Sequence, residues 1–123
     1  MGMKGLFDTN IIIDYLNGDE KAKRELSLYK EAWISIMTYI EVLVGVGESD
    51  KYDLIKNYLS SLNILEVDEE VAGIAIEVRK KYKLKVPDAL ILASAQKISA
   101  VIVTRNTKDF DRDLPFVRVP YCI

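Results

Sequence analysis

Residues 3–16 read MKGLFDTNIIIDYL. Residues 3–7 have the character of a short strand, Asp8 interrupts it, and Asn10–Leu16 reads as a helix stopped by Asn17 and Gly18. A strand that hands over directly to a helix is the opening of an α/β unit, and the alternation continues along the chain. Asp19 is placed to cap a second helix running to about Tyr29, and Ala32–Ile36 is a second strand. Helices are expected over Thr38–Val44 and Asp50–Leu62, then a short strand over 63–67 and a helix from the cap Asp68 to about Tyr82. Pro87 suits the first turn of a further helix ending near Ser99, apolar nearly all round between Ala89 and Ala95 and therefore buried. Ala100–Thr104 is a β-branched strand of the buried kind and Phe116–Val119 a weaker last one. Strands alternating with helices give an α/β fold with a parallel sheet of about 4–5 strands flanked by helices.

Composition removes several kinds of chemistry. The 123 residues are the size of one domain, with no repeat or linker. No histidine is present, so Ser-His-Asp and Cys-His mechanisms are excluded, as are His-rich zinc sites. The single cysteine, Cys122, allows no internal disulfide, which fits a reducing cytoplasm. No segment reaches the roughly 20 apolar residues that span a bilayer, and the N-terminal residues lack a signal peptide's apolar run, so no membrane association is expected. The net charge of −2 does not mark a nucleic-acid binder, though a bound cation would change the local field.

Four acids occupy comparable places in the alternation. Asp8 ends the first strand, Glu41 lies near the start of the helix after the second, Asp88 opens the buried helix, and Asp109 follows the 100–104 strand by a short loop. In a parallel sheet the carboxyl ends of strands and the starts of the following helices share one edge. The helix of Asp88 feeds the 100–104 strand and runs antiparallel to it, which brings Asp88 to the same edge, where ligands bind in open α/β sheets. Carboxylates gathered in one cleft stay ionised together only if a cation compensates them. Oxygen ligands select a hard ion such as Mg²⁺ or Mn²⁺, which supports phosphodiester hydrolysis without an imidazole.

Four segments then resemble, in order and spacing, the motifs of PIN domains: Phe7-Asp8-Thr9-Asn10, Ser35 to Leu43 (SIMTYIEVL), Pro87 to Ala95 (PDALILASA) and Thr104 to Phe110 (TRNTKDF), the last in the form common among VapC toxins. The resemblance spans essentially the whole chain, 1–123, as a single PIN-like domain. It implies a three-layer sandwich and a Mg²⁺- or Mn²⁺-dependent endoribonuclease acting on single-stranded or looped RNA. It also implies a homodimer and inhibition by a small antitoxin protein inserting a segment near the acidic pocket. Asp8, Glu41 and Asp88 match the family's acids; the fourth position is Asp109, or is relayed through Asn106, where some relatives carry an acid. Thr9, Asn10 and Thr104 match polar positions that hold carboxylates by hydrogen bonds.

Each acid taken singly also has a structural reading. Thr38-x-x-Glu41 fits a capping box, Asp88 is a favourable charge at a helix start, Asp8 fits a cap and Asp109 a turn. None of these explains why the four share one edge. Arg105, Lys108 and Arg112 flank Asp109 and are the candidate substrate contacts. Five basic residues between Arg79 and Lys85 read as a solvated helix end, Lys21, Lys23 and Arg24 form a second basic patch, and Gly45-x-Gly47 reads as a helix stop. Two competing functions remain in view. One is a PIN-like interaction module without turnover. The other is an aspartyl phosphatase using Asp8, disfavoured because Asn10 stands where that chemistry places a second Asp.

Overall fold

The computed structural model describes residues 4–108, 110 and 116–121. Strand β1 (Lys4–Phe7) passes into helices α1 (Thr9–Leu16) and α2 (Glu20–Ser27). Strand β2 (Glu31–Ser35) leads to α3 (Ile36–Val46) and α4 (Tyr52–Ser60), and β3 (Asn63–Leu65) to α5 (Glu69–Tyr82) and α6 (Val86–Ile98). Two short strands follow, β4 (Val101–Val103) and β5 (Val117–Arg118). Every element expected from the sequence is present, with boundaries moved by a few residues; Met3 lies outside the described residues.

Local chemistry accounts for the helix ends. Asp19 Oδ1 accepts hydrogen bonds from the amides of Lys21 and Ala22, and Asp68 Oδ1 from that of Val71, so both act as the caps expected of them. Gly47 ends α3 with a φ of 65°, in keeping with a helix stop. One boundary differs in a way that matters for the site. Ser35, not Thr38, caps α3: its hydroxyl accepts from the Met37 amide at 3.1 Å. Ile36 therefore belongs to the helix, and Thr38 lies inside the first turn, fully buried.

The five strands are all parallel, in the order β3-β2-β1-β4-β5. Side chains alternate across the sheet. Leu6 and Ile102 face a core built with Val71, Val78, Leu92 and Ala93 of α5 and α6, while Phe7, Ile34 and Val103 face one built with Ile11, Ile12, Val42 and Leu59. The sheet thus lies between two helical layers, a three-layer α/β sandwich. Helix α6 buries Ala89 and Ile91–Ala95, as its all-round apolar sequence requires. From β1 the chain proceeds through β2 to β3 on one side, then crosses to β4 and β5 on the other. The reversal of strand order falls between β1 and β4, where open α/β sheets leave a crevice at the carboxyl ends.

The edge strand β5 is fastened to α2 by an ion pair whose carboxylate is buried. Glu25, only 4% exposed, accepts from Arg118 Nε at 2.5 Å and Nη2 at 3.1 Å and from the Tyr29 hydroxyl at 3.0 Å. Burial, reinforced by the Glu25 charge, pushes the Tyr29 phenol far above its ordinary pKa, so it stays a donor. The same tyrosine ring leaves no room at Gly5: an added Cβ would lie 3.0 Å from two of its atoms and 3.1 Å from the Phe7 ring. Among the described residues no helix is long and apolar enough to cross a membrane.

Because Tyr29 is held at its hydroxyl and packed edge-on against Phe7, it cannot retreat cheaply. Gly5→Ala should destabilise the protein by about 1–3 kcal/mol through overpacking. Chemical denaturation measures this; a midpoint equal to the wild type would show that the rings have room to move.

Candidate active site

Asp8 stands at the reversal point. Its amide donates to Val103 O at 2.9 Å, one step beyond the last β1–β4 pair. Its extended backbone makes it the N-cap of α1, and Oδ1 accepts from the Thr9 amide at 2.9 Å. The other oxygen, Oδ2, accepts from the Thr104 hydroxyl at 2.8 Å and from Asn10 Nδ2 at 3.3 Å. Capping and site roles coincide here: the bonds that finish the helix also aim the carboxylate.

Thr104 is fully buried and links two parts of the site. While donating to Asp8, its oxygen accepts from the Asn106 amide at 2.9 Å. Asn10 ties down the same loop, its Oδ1 accepting from the Arg105 amide at 3.2 Å. The loop then closes on Asn106, whose side-chain oxygen accepts from the Lys108 amide and whose carbonyl accepts from that of Phe110. Phe110 is buried in the core under α5 and α6 and anchors the loop from below.

On the neighbouring strand, β2 delivers α3 and with it Glu41. Thr9 Oγ1 lies 3.0 Å from Thr38 Oγ1 and 3.1 Å from Glu41 Oε1. A hydroxyl has one proton, and the carboxylate is the stronger acceptor, so Thr9 donates to Glu41 and accepts from Thr38. This replaces the capping-box reading of Thr38 and Glu41: Ser35 takes the cap, and Glu41 turns to α1. Asp88 occupies the first turn of α6 and is half-buried.

Asp8, Glu41, Asp88 and Asn106 line a single open cleft of about 350 Å³, together with Thr9 and Asn10. Ile13, Met37, Pro87 and Ile91 supply its apolar wall. Among the described residues its ionisable lining is carboxylate alone, and its other polar groups are hydroxyl and amide, a set suited to a hard cation. Among the described residues no three acids are drawn together into a ready-made metal-binding group; they surround the cleft. Asp109 and Arg112 lie outside the described residues, as does Cys122.

The candidate substrate contacts fare differently from one another. Lys108 is exposed. Arg105 points its guanidinium at Asp14, with Nε 2.5 Å from Oδ2 and Nη2 3.0 Å from Oδ1, and is absent from the cleft lining. Asp14 also accepts from the Tyr121 hydroxyl at 2.8 Å. The Arg105 guanidinium holds the Asp14 carboxyl below the usual carboxylate range. Sequence reasoning passed over Asp14 and Tyr121; the one local signal was an acid inside an otherwise apolar helix. Lys21 and Arg24 of the second basic patch line a separate cavity of about 340 Å³ with Glu25, Leu28, Arg118 and Tyr121. The run from Arg79 is, as read, the basic last turn of α5, ending on Lys83 in the left-handed conformation.

Thr104→Val keeps the shape but removes both functions of the hydroxyl, leaving the Asn106 amide and Asp8 each short of a partner. It should cost about 1–3 kcal/mol, the range for buried groups deprived of a hydrogen bond. Denaturation of the variant measures the loss; an unchanged stability would show that Thr104 does not join strand to loop.

The sequence profile described as "PIN domain" matches residues 6–113. A chain of a toxin–antitoxin complex from Klebsiella pneumoniae is 41% identical, with 97% of this chain and 99% of that one covered and a TM-score of 0.90. FitAcB from Neisseria gonorrhoeae contains a chain 25% identical over 97% of this chain and 99% of that one, at a TM-score of 0.75. VapBC2 from Rickettsia felis, solved bound to a promoter DNA fragment, contributes a likeness of fold, at 24% identity, 94% and 98% coverage and a TM-score of 0.76. A comparison with curated proteins found no match. The profile covers most of the chain and the fold is shared along nearly all of it, so this chain belongs to the PIN domain family.

Proposed function

We propose that this PIN domain is a VapC-type toxin, the nuclease half of a toxin–antitoxin pair, and that it hydrolyses RNA internally with Mg²⁺ or Mn²⁺. The observation that carries the reading is one cleft lined by Asp8, Glu41 and Asp88 in a chain without histidine. Those three would hold the ion, with Asp109 or Asn106 as the fourth group. When bound, such an ion polarises a phosphate and makes water more acidic.

The chain's own residues do the rest. Thr104, Asn10 and the Thr9 amide fix Asp8, and the Thr9 hydroxyl fixes Glu41, so the acids need not reorganise as charge develops. Asp88 lines the cleft from α6, and Ile13, Met37 and Ile91 form an apolar wall beside the place a scissile phosphate would take. In the hydrolysis, water oxygen bonds to phosphorus in line and the bond from phosphorus to the 3′ oxygen breaks. One proton of the water is passed to that oxygen, leaving 5′-phosphate and 3′-hydroxyl ends.

A small antitoxin protein and a second copy of the chain are the proposed partners, in the cytoplasm. The toxin–antitoxin complex at 41% identity supports the first. Exposed apolar side chains on α3 and α4, Ile40, Val44 and Leu54, suit protein partners. A second reading, an interaction module without turnover, is favoured by the acids' standing apart among the described residues.

The purified chain, freed of any partner, should cleave RNA with Mg²⁺ or Mn²⁺ and stop on addition of EDTA. Asp8→Asn, Glu41→Gln and Asp88→Asn should each lower the rate by at least about 100-fold, beyond the loss typical of outer hydrogen-bonding partners. Undiminished cleavage by Asp8→Asn would remove this mechanism, and a folded wild type that cleaves nothing with either ion would favour the interaction module.

A further inference from the structure

We propose that Asp14, Arg105 and Tyr121 form a positioning latch that sets the cleft-lining loop after β4 against α1. The inference rests on the nuclease reading for its catalytic consequence, and on geometry alone for the latch itself. Asn10 and Asp14 are four positions apart on α1, so they lie one turn apart on the same helix face. Arg105 is bound at both levels. Its amide donates to Asn10 Oδ1, and its guanidinium forks onto both oxygens of Asp14. A residue held at backbone and at side-chain tip can neither slide along the helix nor rotate about its own axis.

The neighbours of Arg105 give this restraint its importance. Thr104, on one side, donates to Asp8; Asn106, on the other, lines the cleft. The latch therefore fixes the link between the two. Asp14 and Arg105 side chains are only 16% and 19% exposed, so their attraction is weakly screened, and the forked geometry is directional. Neither lines the cleft, which makes them positioning residues. Tyr121 adds the C-terminal segment: its hydroxyl donates to the same Asp14 oxygen that receives Arg105 Nε. Burial, with Asp14 next, pushes its pKa upward, so the hydroxyl keeps its proton. A segment 107 positions away from Asp14 thereby bears on the loop of the site.

The test uses the full chain with Asp14→Asn, Arg105→Gln, the double variant and Tyr121→Phe. Amide hydrogen exchange at Arg105 and Asn106 should speed up about 10-fold in Asp14→Asn, the scale of one lost charged hydrogen bond, with exchange in α5 and α6 unchanged. This readout needs no activity, so it judges the latch even if the wild type proves to cleave no RNA. Where cleavage is observed, kcat should fall about 10-fold with KM within about twofold. The double variant should be no worse than the worse single one, because the pair acts as a unit. Tyr121→Phe should show the same pattern more weakly. Unchanged exchange at Arg105 and Asn106, or exchange rising equally throughout the core, would overturn the proposal, as would losses that multiply in the double variant.

Discussion

The structure depends on β1 and β4 lying side by side. The pairing of Gly5 with Val101, Leu6 with Ile102 and Phe7 with Val103 brings together segments nearly a hundred positions apart. Once it forms, the Asp8 amide has Val103 O to bond, and the Asp8 carboxylate has the Thr104 hydroxyl. Several polar groups at the cleft are tied to this junction: α1 starts from Asp8, the following loop hangs from Thr104, and Asn10 spans the two. The junction also places the change of strand order at the site, because each chain direction leaves the central pair toward a different side. A crevice at that point is a consequence of topology; its being acidic is a consequence of which residues end the strands.

Placing carboxylates there works against stability, and the surroundings offset part of it. Asp8 accepts three hydrogen bonds and Glu41 one from Thr9. Donors of this kind hold a carboxylate in one orientation. They do not remove the repulsion that acids around one cleft exert on one another. The contrast with the two ion pairs is instructive. Glu25 with Arg118 and Asp14 with Arg105 are complete in themselves, each carboxylate matched by a forked guanidinium and a tyrosine hydroxyl. Both of these acids are joined to cations that fasten one element to another, whereas Asp8 and Glu41 at the cleft accept from hydroxyl, amide and backbone donors.

Much of this could be read from the sequence, because the signals were local. Strand character over 3–7 and 100–104, the caps Asp19 and Asp68, the stop at Gly47 and the nearly all-apolar α6 each follow from a few adjacent residues. Even the common edge of Asp8, Glu41 and Asp88 followed from the rule that strand ends and helix starts share one side. What stayed hidden depends on pairing between distant residues. Glu41 looked equally suited to Thr38 three residues away and to a partner elsewhere; Thr9, 32 positions off, decides the matter. Arg105 looked like a phosphate contact by its nearness to the acids in sequence, and nothing local announces Asp14, 91 positions away. Arg118 and Glu25, 93 apart, were invisible for the same reason.

The commitment of Arg105 also bears on how a chain of net charge −2 could meet a polyanion. With that guanidinium matched to Asp14, the cleft lining among the described residues includes Asp8, Glu41 and Asp88 and no guanidinium. A phosphate approaching these three carboxylates is repelled by them. On the proposed ribonuclease reading, exposed cations such as Lys108, Lys21 and Arg24 on α2, or the last turn of α5, would attract RNA. Such exposed charges act over a Debye length and weaken with salt. On that reading, capture of the strand depends on ionic strength and hydrolysis on divalent ion. The two requirements are separable because the surface cations and the carboxylates belong to different parts of the fold.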